Sequence, residues 1–323
     1  MFVVGIGGGT GLPVVLRAIA TAPGVEATAI VAVSDNGGSS GRLRRSLNMP
    51  AVGDLRNCLV ALSENGSLVK NLFQHRFSKG DVQGHSLGNL IVAALYQQTG
   101  SLAQALDTAG NLLLLKGRAL ACTEVSTALC AMFQDGTVVR GECEISKAGK
   151  QIECVWLEPA GPKPSPGVLE AIHSANAIVL APGSLYTSLL PNLLVAGVAN
   201  AIRESGAAKI LVCNLMTQPG ETDGFSASDH LRVVESVLGR GTVDFCIVNS
   251  EPKTRLWQHY RAHGSEPVLA DVDVIRAMGA VPVEASLATV QRRTIRHNAS
   301  RLGRVLLRIA RTTARNRAAL QAA

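Results

Sequence analysis

The sequence predicts an α/β protein, a mostly parallel sheet with helices on both faces and a small antiparallel excursion. Three observations carry this. The first 41 residues read strand, glycine loop, helix, strand; strand and helix alternate again from about residue 177; and the strand runs are almost wholly apolar, as strands covered on both faces must be. Composition agrees: 323 residues, 47% hydrophobic and 17% charged with 32 glycines, describe a globular chain and exclude disordered and fibrous classes.

Taken in order, Phe2 to Ile6 is a short apolar strand, followed by Gly7-Gly8-Gly9-Thr10-Gly11 and an amphipathic helix to about Ala22. Pro13 suits the first helical turn, where a missing N–H costs nothing. Thr28 to Val33 is the second strand, and it runs into Ser34-Asp35-Asn36-Gly37-Gly38-Ser39-Ser40-Gly41. Such a βαβ unit builds a parallel sheet. From Asp54 to Leu115 the apolar period is helical. Between Ala119 and Leu157 it shifts toward alternation, with turn signals at Asp135-Gly136 and Ala148-Gly149-Lys150, which predicts hairpins. Four prolines in Pro159 to Pro166 mark a return loop rather than a domain boundary, because the same kind of strand resumes after it. Ala177 to Leu180 leads to Ser184 and a long helix to about Glu204. Lys209 to Cys213, Val243 to Val248 and Val281 to Val283 are the later strands, with a helix from Asp229, and a last helix follows Asn298.

The formal charge of +7 is unevenly placed. From Ala285 onward there are nine arginines, Arg292 and Arg317 among them, and no carboxylate, so the rest of the chain is nearly neutral. Arg301, Arg304, Arg308, Arg311 and Arg315 recur at helical spacing beside Leu302, Val305, Leu306 and Ile309, which describes a docked terminal helix with an arginine face. That face suits an acidic partner protein. With 3% aromatics and no recognition motif, a nucleic-acid partner is not indicated. The seven cysteines are odd in number and lack a C-x-x-C pair; they read as reduced, mostly buried thiols of a cytoplasmic protein. No apolar run reaches the roughly 18–20 residues of a membrane span.

The polar and glycine-rich clusters fall after predicted strands, where open parallel sheets bind ligands. Gly7 to Gly11 brings backbone N–H groups and a helix N-terminus to an anion, although a tight βα turn would also need small residues. The loop lacks the Lys-Ser/Thr of a P-loop and the third glycine of the dinucleotide fingerprint. Asp35 in the second loop suits a ribose or a metal, beside Asn36, Gly38 and Ser39, while Arg44 and Arg45 read as a solvated helix face. Asp54 reads as a helix N-cap ahead of Arg56, Asn57 and a core Cys58. Gly84-His85-Ser86-Leu87-Gly88-Asn89 opens another helix, where His85 is either a ligand contact or structural. Pro182-Gly183-Ser184, with Thr187, offers a second phosphate seat; no G-x-S-x-G elbow makes Ser184 a nucleophile. Asn214, Thr217 and Gln218 suit hydrogen bonding to a base or sugar. Glu221 and Asp229 suit a cation, and Asp229 equally a helix cap.

Six segments in order, GGGTGLPVVLR, SDNGGSSGRLR, GDLRNCLVAL, GHSLGNL, PGSLYTSLLPNLLV and NLMTQPGETDGFSASDH, resemble the bacterial YvcK family, the gluconeogenesis factors, homologous to the CofD 2-phospho-L-lactate transferases. The resemblance implies a single Rossmann-like CofD domain over 1–323, with 54–160 a helical and antiparallel insertion and 298–323 a basic terminal helix. It implies a cytoplasmic regulatory protein, a homo-oligomer that binds UDP-N-acetylglucosamine or another nucleotide diphosphate and supports cell shape and cell-wall precursor supply on gluconeogenic carbon. Carried over, Gly8, Gly9, Thr10, Gly11, Ser184 and Thr187 would hold phosphate. Asp35, Asn57, Asn89, Asn214 and Thr217 would line the nucleotide-sugar pocket, and Arg296 would reach the diphosphate. No cofactor is required. If the chain were instead a CofD-like transferase releasing nucleoside monophosphate, Asp35 would hold Mg²⁺; many relatives carry paired aspartates where this chain has Asn36, and one carboxylate with an amide holds Mg²⁺ less tightly.

Overall fold

The computed structural model describes residues 1–63, 68–250, 256–291 and 293–322, so Arg292 and the side chain of Arg317 lie outside the described residues. β1 (Phe2–Gly7), α1 (Gly11–Ile19) and β2 (Glu26–Val31) form the anticipated βαβ unit. Val3 of β1 faces one core, and Val4 and Ile6 face the other, as a period of two requires. α2 (Gly38–Leu47) occupies part of what reads as a polar loop, and α3 (Gly53–Leu62), α4 (Leu68–Gln74), α5 (Leu87–Thr99) and α6 (Leu102–Leu113) supply the helical stretch.

β3 (Gly117–Ala121) joins the main sheet, after which β4 (Ala128–Phe133), β5 (Val138–Arg140) and β6 (Ile152–Glu158) form a separate antiparallel sheet in the order β5-β4-β6. Here the alternation misleads. Glu142 to Ile145 is not strand but the start of α7 (Glu142–Ala148), with two carboxylates in its first turn and Gly149 closing it, so Ala148-Gly149-Lys150 is a helix stop rather than a hairpin.

α8 (Val168–Ser174) and β7 (Ala177–Leu180) return the chain to the main sheet. The long helix expected from Ser184 to Glu204 is three pieces: a π-helical turn (Leu185–Leu189), α9 (Leu190–Leu193) and α10 (Val198–Glu204), with a bend of 77° between the second and third. Pro191 explains the first break, since it has no N–H to donate and its ring crowds the carbonyl four residues back. Gly197, left-handed at φ 80°, makes the second. β8 (Ala208–Val212), α11 (Ala227–Leu238), β9 (Phe245–Asn249), α12 (Trp257–Arg261), α13 (Val272–Ala277) and β10 (Val281–Ala285) continue the alternation. A two-stranded ribbon, β11 (Ala288–Gln291) and β12 (Thr294–His297), leads into α14 (Ala299–Ala322).

The main sheet runs β10-β9-β8-β7-β1-β2-β3, and every pairing is parallel. One core packs α1, α3, α5, α6 and the Leu302, Leu306 and Ile309 stripe of α14 on one face; the other packs the antiparallel sheet, α8, α10 and α11 on the opposite face. β1 feeds α1 toward the first core and β7 feeds its helix toward the second. A crevice therefore opens at the carboxyl ends of these adjacent strands. Arg301, Arg304, Arg308, Arg311 and Arg315 are exposed along α14. Among the described residues no single helix is long and apolar enough to cross a membrane. All seven cysteines are free and most are buried; Cys143 is half-buried and Cys154 exposed.

Candidate functional site

The glycine loop lies at the centre of the crevice. Thr10 stands at the N-terminus of α1 but does not cap it with its side chain; its Oγ1 instead accepts a hydrogen bond from Arg296 Nη1 at 2.6 Å. Arg296 reaches this position from β12, whose neighbours are pinned: Ile295 N–H donates to Tyr260 Oη at 2.9 Å, and His297 Nε2 meets the Cys213 carbonyl at 3.2 Å. The ribbon thus straps across the crevice.

Under that strap lies a cavity of about 630 Å³. Of the sequence candidates, Gly9, Thr10, Gly11, Gly183, Ser184, Asn214, Thr217, Gln218 and Arg296 line it. Several of these are already engaged. Asn214 exchanges both hydrogen bonds with the backbone of Gly183 (2.8 and 2.7 Å), which sets the loop's geometry. Thr217 is buried with its Oγ1 accepting Glu266 N–H at 2.9 Å. Gln218 Oε1, by contrast, is buried with no hydrogen-bond partner. Ser184 caps its helix by accepting Thr187 N–H at 3.1 Å and contacts Thr187 Oγ1 at 2.6 Å. It also donates to Glu221, which accepts from Ser146 Oγ at 3.2 Å. Ser188, from the π-helical turn after Ser184, also lines the cavity, as do Tyr260, His263 and Ser265, which carried no sequence signal. They come from α12 and from loops that only the fold brings here.

Beneath the glycine loop the floor is acidic. Asp54, which reads as an N-cap, lies inside α3 (Val52 is the cap) and its Oδ2 accepts Gly9 N–H at 2.5 Å. A Cβ on Gly8 would stand 2.8 Å from that oxygen, so the approach needs glycine. Burial, and then the nearby Asp35, push the Asp54 carboxyl up to about 6. Glu142 is pushed well up by burial and by Asp35, Asp54 and Glu221, with Thr187 beside it offsetting this in part. Glu221 is raised by burial.

On the far side of the loop the structure gathers Asp35, Asn36, Gly38, Ser39, Asn57, His85 and Asn89, none of which lines the 630 Å³ cavity; nor do Gly8 and Thr187. Asp35 Oδ1 accepts Gly37 N–H at 2.8 Å. Asn36 is committed to α7, accepting Cys143 N–H at 3.0 Å and donating to Glu144 Oε2 at 2.6 Å. Ser39 Oγ meets His85 Nδ1 at 2.9 Å and accepts from Asn89 Nδ2 at 3.1 Å. Asn57 lies beside Asp54 and partly offsets the rise of its carboxyl. Asp229 is the N3 member of a capping box with Ser226 on α11, the structural one of its two readings. Arg44 is no solvated face: it donates to the carbonyls of Ser34 (2.7 Å), Asp35 (3.1 Å) and Thr127 (2.6 Å), clamping the second loop to β4. Arg45 is exposed as expected.

The family model of the 2-phospho-L-lactate transferase CofD matches residues 3–288. The chain is 47% identical over 307 residues to the gluconeogenesis factor of Halalkalibacterium halodurans, covering 94% of this chain and 95% of that one. It is 42% identical over 303 residues to that of Bacillus subtilis, covering 93% and 95%. A crystal structure of a Bacillus halodurans protein superposes with a TM-score of 0.92 at 46% identity, covering 94% of this chain and 98% of that one.

Proposed function

This chain belongs to the CofD family and, within it, to the gluconeogenesis factors, and from that premise we propose that it is a cytoplasmic regulatory protein that binds a nucleotide sugar, UDP-N-acetylglucosamine, and through it adjusts cell shape and cell-wall precursor supply on gluconeogenic carbon. The observation that carries the reading is the Arg296 to Thr10 contact over a 630 Å³ cavity at the carboxyl edge of the sheet. A cavity of that size suits a nucleotide-sized ligand. The N-termini of α1 and of the helix after Ser184, with Arg296 facing them, suit a diphosphate. Gln218, its carbonyl oxygen unpartnered, suits the N–H edge of a base. The ligand's differential contact with the strap is what a partner, contacted as a homo-oligomer through the α14 arginines, would read.

Calorimetry with UDP-N-acetylglucosamine tests the reading. The wild type should bind, and Thr10→Val and Arg296→Ala should each weaken binding about tenfold or more, the loss of one charge-assisted contact. No heat from the folded wild type rejects it.

A second reading, a CofD-like transferase, is favoured by the family match over residues 3–288. Asn36, where many relatives carry a second aspartate, is committed to α7, which leaves Asp35, its Oδ1 accepting the Gly37 N–H, as the loop carboxylate that would hold the Mg²⁺ of such an enzyme. Among the described residues no group of three or more His, Cys, Asp or Glu is arranged to hold a metal ion. Nucleoside monophosphate released from a panel of nucleoside diphosphate donors would decide for the transferase.

A further inference from the structure

Three arginines, Arg42, Arg56 and Arg76, are held around the turn at Gln83 to His85 and the start of α5, outside the nucleotide cavity. Arg42 Nη2 donates to the Gln83 carbonyl at 2.7 Å, and Arg76 Nη1 to the adjacent Gly84 carbonyl. The next residue, His85, meets Ser39, and Asn89 bridges Ser39 to Arg56, whose Nε donates to Asn89 Oδ1 at 3.3 Å. Each guanidinium is therefore fixed at one nitrogen by a neutral acceptor. None of the three forms an ion pair among the described residues. The half-buried Arg56 keeps both Nη groups without a protein acceptor among the described residues, and those form the fork that matches two oxygens of an oxyanion. Its stem runs so close over Gly88 that a Cβ there would stand 2.8 Å from Arg56 Cγ, which holds the side chain in place. Burial and the charge of Arg76 both lower the Arg56 pKa, and burial with Arg42 and Arg76 lowers that of His85. The like charges are near enough to repel, and the carboxylate acting on Arg56, Asp54, is already bonded to Gly9.

We infer that Arg42, Arg56 and Arg76, with Ser39 and His85 as the floor, form a second anion site that takes a phosphate dianion, free or as a small phosphomonoester, independently of the nucleotide cavity. Three cations held by neutral acceptors, with no ion pair among the described residues and Asp54 already bonded to Gly9, call for a multiply charged ligand. Behind that floor the buried Ser39 and Asn89 bond to each other, a polar lining that suits phosphate oxygens and not an apolar group.

The test is the His85 ring signal in NMR of the full chain at pH 6.5, assigned by its loss in H85Q, with inorganic phosphate or glycerol phosphate added against chloride at matched ionic strength. A dianion beside the imidazole raises its pKa, so a saturable shift toward the imidazolium position is expected. It should need about tenfold more ligand in R56Q/R76Q and be unchanged in R296A. R76Q alone alters an exposed side chain and keeps the test available if the double variant unfolds. Saturation by glycerol phosphate identifies a phosphomonoester site, and saturation by inorganic phosphate alone a site for the free ion. A response that is linear, or is lost in R296A while kept in R56Q/R76Q, overturns the inference. Neither outcome bears on the nucleotide reading, which is measured with the UDP-sugar.

Discussion

Asp54 accepts the backbone N–H of Gly9 at 2.5 Å, so the first turn of α3 holds the glycine loop from below with a carboxylate that burial has brought to about 6. The loop that offers its N–H groups to an anion thus rests on a group that gains its own negative charge near neutral pH.

The first prediction concerns that group. A bound diphosphate would raise the Asp54 pKa further, so ligand binding takes up a proton and affinity falls as pH rises through about 6. Asp54→Asn keeps an acceptor for Gly9 without the charge. Calorimetry in buffers of different ionisation heat should show proton uptake at pH 6.5–7 in the wild type and little in the variant; equal uptake in both would exclude Asp54 as the group.

The second concerns Arg44, whose guanidinium satisfies two carbonyls of the second loop and that of Thr127, just before β4. Arg44→Ala should cost about 2–3 kcal/mol in urea unfolding, because the carbonyls lose a charged donor. Arg44→Lys should recover only part, since an ammonium cannot span the same fork. A loss below about 0.5 kcal/mol, the ordinary surface value, would mean the clamp contributes nothing.

The third separates space from backbone strain at two glycines. A Cβ on Gly11 would stand 1.6 Å from the Pro182 carbonyl oxygen, between the two loops that frame the cavity. Gly38 has open space but φ of 45°. Gly11→Ala should therefore destabilise by more than about 4 kcal/mol or prevent folding. Gly38→Ala should cost only about 1–2 kcal/mol, the left-handed penalty. Denaturation midpoints of the two variants check the order.

How much of this could be read beforehand follows the range of the interactions. β1, the glycine loop and β7 were legible because an apolar run ending in Gly or Pro-Gly-Ser is a local pattern with a local cause. α7 was not: Val138 to Ile145 alternates loosely, and only the tertiary placement of Gly141 and Asn36 makes a helix of its second half. Pro191 was visible, yet a proline near a helix start is often harmless, and its effect depends on where the helix begins. Asp54 shows the limit most clearly. An aspartate in the first turn of a helix looks the same whether it caps that helix or reaches a loop 45 residues earlier in the chain. Tyr260 and His263 carried no local mark at all, because only the fold brings them to the crevice.

His297 sets up the fourth prediction, through its opposition to Asp54. It lies at the end of the strap with Nε2 on the Cys213 carbonyl, and burial brings its pKa down to about 4, the hydrogen bond offsetting this only in part. A base whose folded pKa is below its unfolded value of about 6.5 costs stability as pH falls from 6.5 toward 4, here about 3 kcal/mol. Asp54 works the other way. Its folded pKa of about 6 lies above the ordinary aspartate value of 3.8, so the folded state binds the proton first and stability rises by about 3 kcal/mol as pH falls through the same window. The two contributions nearly cancel, and stability should change little from these groups between pH 6.5 and 4. Removing either exposes the other. Asp54→Asn should become steeply acid-sensitive, losing about 3 kcal/mol over that interval relative to wild type. His297→Gln, which retains a donor for Cys213, should instead gain stability toward pH 4. Urea midpoints of the three proteins at pH 4, 5, 6 and 7 measure this directly. Parallel pH profiles would show that the two buried groups do not titrate as their surroundings require.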